Sequence, residues 1–182
     1  MTKHVLVPLA QGIEEMEAIT IIDVLRRAGA QVTAASVDDI DMLASRGTRL
    51  RADCLIGDCM DTSWDLIVLP GGIPGAENLK ASEELAQLLK AQAASDKYYG
   101  AICASPAVVL HHHGLVRPGA VTCHPGFSHM IENGNIEDLS VVVDGNCITS
   151  KGAGTALAFA LKLTELLYSR ETVQDVRAGM AI

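Results

Sequence analysis

Aromatic side chains are scarce: one Trp, three Tyr and two Phe make up 3% of 182 residues. A core must therefore be filled by Ala, Val, Ile and Leu, which suits parallel strands covered by helices on both faces. Basic residues are outnumbered, 14 Lys and Arg against 22 Asp and Glu, for a net charge of −8. No basic stripe offsets that balance, so no nucleic-acid partner is expected. The chain lacks a secretory signal pattern and a bilayer-length apolar run, so a soluble cytoplasmic protein with no membrane contact is expected. It also lacks any C-x-x-C pair. Its five cysteines, Cys54, Cys59, Cys103, Cys123 and Cys147, are odd in number and fit free thiols in a reducing compartment. No repeat or linker breaks residues 1–182, which read as one domain.

What is present is an alternation of strands and helices. Residues 4–9, 31–37, 65–69 and 98–102 are short apolar runs that read as buried strands. Residues 14–28 carry a helical pattern, with Met16, Ile19, Ile22, Val24 and Leu25 apolar and Gly29 as the stop. Residues 38–53 are polar and irregular, with room for a short hairpin. Ser82 caps a helix running to about residue 95, and a long apolar helix covers residues 155–168, followed by a short one near Arg170. Asp144-Gly145 signals a hairpin between residues 139–143 and 147–149. The pattern predicts an α/β sandwich around a mainly parallel sheet. In such sheets ligands gather beyond the carboxyl ends of the strands.

Three segments fall at those ends. The first is Ile102-Cys103-Ala104-Ser105-Pro106, where a thiol sits between an apolar strand and a helix start. Ser105 is expected to cap that helix, and Pro106 suits its first turn. Unpaired N–H groups there lower a thiol's pKa below the free value of about 8.5 and make a nucleophile. A small buried hydrophobe is the competing reading of Cys103. The second segment is Leu69-Pro70-Gly71-Gly72, whose glycines let the backbone approach another group closely. The third is Gly12-Ile13-Glu14-Glu15-Met16-Glu17. Glu14 and Glu15 are accounted for as acids offsetting a helix dipole. Glu17, flanked by Met16 and Ala18, can point inward and hold a raised pKa.

Together with Thr149-Ser150-Lys151-Gly152-Ala153-Gly154-Thr155, these stretches resemble the ThiJ/PfpI (DJ-one) superfamily, in the branch of the human Parkinson-linked protein and bacterial YajL. The resemblance implies a flavodoxin-like three-layer sandwich, a homodimer and no cofactor or metal. It implies that Cys103 is the nucleophile, Glu17 a protonated carboxyl against its sulfur, and the N–H groups of Gly72 and Ala104, beside Gly71, an oxyanion hole. His124 falls where some members place a histidine near the thiol. Arg27 and Arg46 match arginines near the dimer interface and the site. Ala153 stands where many members carry proline, and Ser105 is an uncommon small residue after Cys-Ala. Alanine, not histidine, follows Cys103, and no His-x-Glu occurs, so peptidase and amidotransferase activities are not expected.

The implied activity is glyoxalase-like or deglycase-like, on methylglyoxal, glyoxal or their early glycation adducts. The alternative is an oxidative-stress sensor or redox-regulated chaperone that uses Cys103 oxidised to sulfinate. The remaining motifs read as structural. His111-His112-His113 closes a helix, Cys54 and Cys59 are plain thiols without the companions of a zinc site, and Cys123 and Cys147 are core residues.

Overall fold

The computed structural model describes residues 2–116, 118–132 and 134–182. In chain order its elements are β1 (His4–Leu9), α1 (Glu15–Arg27), β2 (Gln31–Ser36), β3 (Asp41–Leu43), β4 (Arg49–Arg51), β5 (Cys54–Leu55), β6 (Leu66–Leu69), α2 (Gly75–Ala81), α3 (Glu83–Ala94) and β7 (Tyr98–Ile102). A π-helical segment, Pro106–His111, follows, then β8 (Ala120–Val121), β9 (Asn135–Ile136), β10 (Val141–Asp144), β11 (Cys147–Ser150), α4 (Ala156–Leu167) and α5 (Arg170–Gly179). Seven strands form one sheet in the order β10-β11-β7-β6-β1-β2-β5. All neighbours in it run parallel except the β10–β11 hairpin. The sheet is flanked by helices: α1 packs on α4 and α4 on α5, while α2 packs on α3 and on the π-helical segment. This is the flavodoxin-like α/β architecture expected from the sequence.

Local chemistry explains the elements. β1, β6 and β7 are almost wholly buried, as their unbroken apolar runs require when helices cover both faces. Ser82 Oγ accepts the Leu85 N–H at the start of α3, as expected of an N-cap. The polar stretch 38–53 does contain a hairpin, β3 on β4. Two expectations shift. Asp144 pairs with Cys147 across the β10–β11 ladder, so the turn is Gly145-Asn146, one residue later than read, with Gly145 at φ 60°. On α1 the core face is Ala18, Ile21, Ile22 and Leu25, whereas Met16 is 61% and Ile19 49% exposed. Apolar character alone does not say which side of a helix meets the core.

The carboxyl ends of β1, β6 and β7 lie side by side, since β6 stands between the other two. The three chemistry-bearing segments leave from those ends.

Candidate active site

Cys103 directly follows β7 and has φ 65°, in the left-handed region where a non-glycine residue costs of order 1–3 kcal/mol. Its N–H donates to the Ser150 carbonyl at 3.0 Å, and its carbonyl accepts the His124 N–H at 2.8 Å. The end of β11 and the loop after β8 thus hold the turn that presents the sulfur. Ser105 does not cap the following helix with its side chain, contrary to expectation. Its buried hydroxyl donates instead to the Pro70 carbonyl at 2.5 Å. That bond ties the start of the π-helical segment to the loop after β6. The backbone N–H groups of Gly72 and Ala104 lie beside the Cys103 sulfur and pull its pKa down.

Two glycines make the approach possible. A Cβ on Gly71 would lie 2.5 Å from Cys103 Cβ and 2.9 Å from Glu17 Oε2. Gly72 has φ 90°, and a Cβ there would meet the Glu14 backbone nitrogen at 2.5 Å. The Glu14 N–H donates to the Gly71 carbonyl, so the start of α1 is bonded to this loop.

Glu17 is fully buried. Its Oε2 accepts the Gly71 N–H at 2.7 Å, while Oε1 has no hydrogen-bond partner; a Cβ on Gly152 would lie 4.0 Å from both Oε1 and the Cys103 sulfur. Burial pushes the carboxyl up to about 7; the Gly71 N–H opposes this and the Glu14 charge adds to it. At neutral pH the group therefore holds a proton for much of the time. The thiol departs from expectation. Burial, and then the charge of an ionised Glu17, push Cys103 up to about 12, against the pull of the Gly72 and Ala104 N–H groups. A low thiol pKa is thus not a property of the turn alone. When Glu17 takes up a proton its repulsion vanishes, so a protonated Glu17 favours the thiolate more than an ionised one does.

His124 borders this pair. A Cβ on Gly152 would lie 3.7 Å from His124 Cδ2 and 4.0 Å from both Cys103 Sγ and Glu17 Oε1, so the three side chains meet around Gly152. His124 Nδ1 accepts the Gly126 N–H at 3.1 Å, which leaves the proton of the neutral ring on Nε2. The arginines stand apart. Arg27 lies ten residues beyond Glu17, about 15 Å along the helix, and its Nε bonds Asp23 at 2.7 Å. Arg46 is exposed and touches the first turn of α1 only through its backbone N–H, 3.1 Å from the Glu15 carboxylate.

The sequence reading missed three positioning groups. Ser105 was read as a cap, Glu15 as a dipole acid, and Gly152 had no assigned role. The Gly152 turn is fixed by Thr155, whose Oγ1 accepts the Gly152 N–H at 3.1 Å and bonds Ser150 Oγ at 2.7 Å. The unbroken Ser-Lys-Gly-Ala-Gly-Thr run was the available signal. His113 also differs: its ring bonds the Lys80 carbonyl at 3.1 Å and burial lowers its pKa, so it links to α2 rather than acting as a charged helix end. A groove of about 510 Å³ along Gln11, Met42, Leu43 and residues 49–51 contains none of these groups. Among the described residues no cluster of three or more His, Cys, Asp or Glu is placed to hold a metal, and no helix is long and apolar enough to cross a membrane.

A cysteine on a strained strand-to-helix turn, faced by a buried carboxyl and two backbone N–H groups in a flavodoxin-like sandwich, defines a class of thiol-centred α/β proteins. The sequence profile of the DJ-1/PfpI family matches residues 3–166, and the chain belongs to that family. It is 50% identical to Protein DJ-1 homolog B of Arabidopsis thaliana over 93% of this chain and 39% of that protein. It is 39% identical to Protein dj-1beta of Drosophila melanogaster, over all of this chain and 98% of that one. Glutathione-independent glyoxalase DJR-1.2 of Caenorhabditis elegans is 38% identical over 90% of this chain and 87% of its own length. The chain spans less than half the length of the two Arabidopsis relatives, homologs B and A. Among solved structures, Toxoplasma gondii DJ-1, oxidized, superposes with a TM-score of 0.96 at 42% identity, covering 99% of this chain and 98% of that one.

Proposed function

We propose that this protein is a cofactor-independent glyoxalase or deglycase acting on small reactive aldehydes, methylglyoxal and glyoxal, or their early glycation adducts. The observation that carries the reading is the apposition of the Cys103 thiol with the buried, high-pKa carboxyl of Glu17 and the N–H groups of Gly72 and Ala104. The Cys103 sulfur attacks the aldehyde carbon, and a hemithioacetal forms. The two N–H groups stabilise the oxyanion, each donor contributing about 3 kcal/mol. Glu17 gives its proton to that oxygen. Its carboxylate then takes the proton from the aldehyde carbon and returns it to the neighbouring carbonyl carbon, while the hydroxyl proton on the first oxygen passes to the second, so the first carbon becomes a thioester carbonyl and the second carries a hydroxyl. The resulting thioester is hydrolysed by water to a 2-hydroxy acid, which restores the thiol. His124, with Nε2–H free to donate, orients the second carbonyl oxygen. The relative named a glutathione-independent glyoxalase supports this chemistry.

The test is turnover of methylglyoxal by purified protein beside Cys103→Ala. Loss of all turnover in the variant is the expected result; retained turnover, or none in the wild type, overturns the reading. A second reading, a sensor whose Cys103 is oxidised to sulfinate, is supported by the relative solved in an oxidised form. It predicts stoichiometric peroxide uptake at Cys103 without aldehyde turnover.

We further propose a homodimer. Exposed Met16 and Ile19, one turn apart on α1, form an apolar strip suited to a second copy. Ile21 cannot serve there, because it is fully buried in the core. Sedimentation of Ile19→Asp should show a monomer where the wild type is dimeric.

A further inference from the structure

Cys54 and Cys59 lie far in sequence from the Cys103 turn and take no part in the chemistry above. Cys54 opens β5, the outermost strand of the sheet, which is only two residues long and borders β2 alone. Cys59 closes the single 3-10 turn Ile56–Cys59 that follows. The turn folds back so that the two sulfurs stand 3.7 Å apart. We propose that Cys54 and Cys59 are a peroxide-sensitive dithiol that closes to a reversible disulfide, independent of Cys103.

The geometry assigns the two roles. Cys54 is half-buried and is the thiol a small oxidant can reach, whereas Cys59 is only 2% exposed. The Cys59 thiol donates to the Leu55 carbonyl at 3.8 Å, and its own carbonyl accepts the Trp64 indole N–H at 3.3 Å. Cys59 is thus anchored, and the short edge strand carrying Cys54 is the side that yields. The sulfurs must close from 3.7 Å to a bond of about 2.05 Å, a displacement within reach of side-chain rotation plus a small edge-strand shift.

The step balances with hydrogen peroxide as the oxidant. The Cys54 thiolate attacks the O–O bond; an S–O bond forms, the O–O bond breaks, and the leaving hydroxide takes a proton to become water. The Cys59 sulfur then attacks the Cys54 sulfenic sulfur. The S–S bond forms, the S–O bond breaks, and hydroxide leaves as a second water with the Cys59 proton. Two thiols lose two electrons, and one peroxide becomes two waters. The bond clamps β5 to the turn behind it, and an external dithiol reverses it.

Trypsin releases both residues, and no other cysteine, on the peptide spanning residues 52–80. After treatment with hydrogen peroxide and then iodoacetamide, that peptide should carry no alkyl group and weigh two hydrogens less than its reduced form. Dithiothreitol should restore both labels. Cys103→Ala should behave identically, which separates this site from the proposed catalytic thiol. Cys59→Ser should leave a Cys54 sulfenic acid that dimedone traps, and Cys54→Ser should leave Cys59 reduced. The wild-type peptide decides the question even if a variant fails to fold. Two alkylated cysteines after a peroxide dose that oxidises free cysteine would overturn the proposal. So would sulfinate on Cys54 in the wild type, or a disulfide to a second chain.

Discussion

Glu15 and Glu17 stand two residues apart in the first turn of one helix, and the two regions they face drive them in opposite directions. Both are buried, and burial pushes both carboxyls up. Glu15 turns toward the 45–48 loop. It accepts the Ser45 hydroxyl at 3.1 Å, the Arg46 N–H at 3.1 Å and the Thr48 N–H at 3.3 Å. Its own backbone N–H and the donors of Arg46 and Thr48 outweigh burial and hold it down to about 2. Glu17 turns toward the thiol, accepts one backbone N–H and is pushed up to about 7. Burial alone therefore does not make a proton carrier; burial with too few donors does. The first arrangement fastens a loop to α1. The second leaves a carboxyl poised to exchange a proton near neutral pH.

The comparison can be broken most severely at Glu17. Glu17→Gln keeps the shape and the Gly71 bond but cannot relay a proton, so methylglyoxal turnover should fall by about 10²–10⁴-fold. Unreduced turnover of this variant at pH 7 would remove Glu17 from the chemistry. The same substitution should act oppositely on stability. The folded-state pKa of Glu17 lies above the ordinary carboxyl value of 4.5, so the native protein holds that proton more tightly than the unfolded chain. That contribution is complete below 4.5 and is lost as pH rises through about 7. Glu17→Gln removes the loss, and urea midpoints should show a gain of up to about 3 kcal/mol at pH 8 that vanishes at pH 4.

Glu15 should show the mirror image. Its pKa is depressed, so its contribution is present above 4.5 and is lost as pH falls toward about 2. Glu15→Gln weakens charge-assisted bonds to the 45–48 loop, and urea denaturation at pH 7 should register a cost of about 1–3 kcal/mol that shrinks on acidification. Asp23, a third acid on α1, sharpens the contrast. Its pair with Arg27 is about half exposed on both sides, so Asp23→Ala should cost only about 0.3–0.5 kcal/mol in the same assay. A loss comparable to that of Glu15→Gln would mean that exposure does not separate these acids.

Much of this was legible from sequence. Unbroken runs such as residues 66–69 declare strands covered on both faces, and Ser82 declares a helix start, because both signals are local. The segments that meet at the candidate site also stand out by their turn chemistry: Gly71-Gly72 after a strand, a thiol before a proline, an inward glutamate. What failed depended on a partner distant in the chain. Ser105 has the composition of a cap, yet its hydroxyl serves Pro70, 35 residues away. Glu15 looks like a dipole acid until a loop 30 residues on wraps around it. Met16 and Ile19 fit an apolar stripe, but α4 covers the other side of α1.

By itself the sequence determined the α/β alternation and the strand ends where the candidate site lies, and it singled out Cys103 and Glu17 there, since periodicity and turn residues are read within a few positions. Only the tertiary structure decided the protonation of that pair and the approach of Cys54 to Cys59. A pKa is set by desolvation and by donors from β1, β6 and β7 termini that meet only when the sheet forms. Likewise, a sulfur–sulfur distance depends on how a turn folds back, which side-chain spacing does not encode.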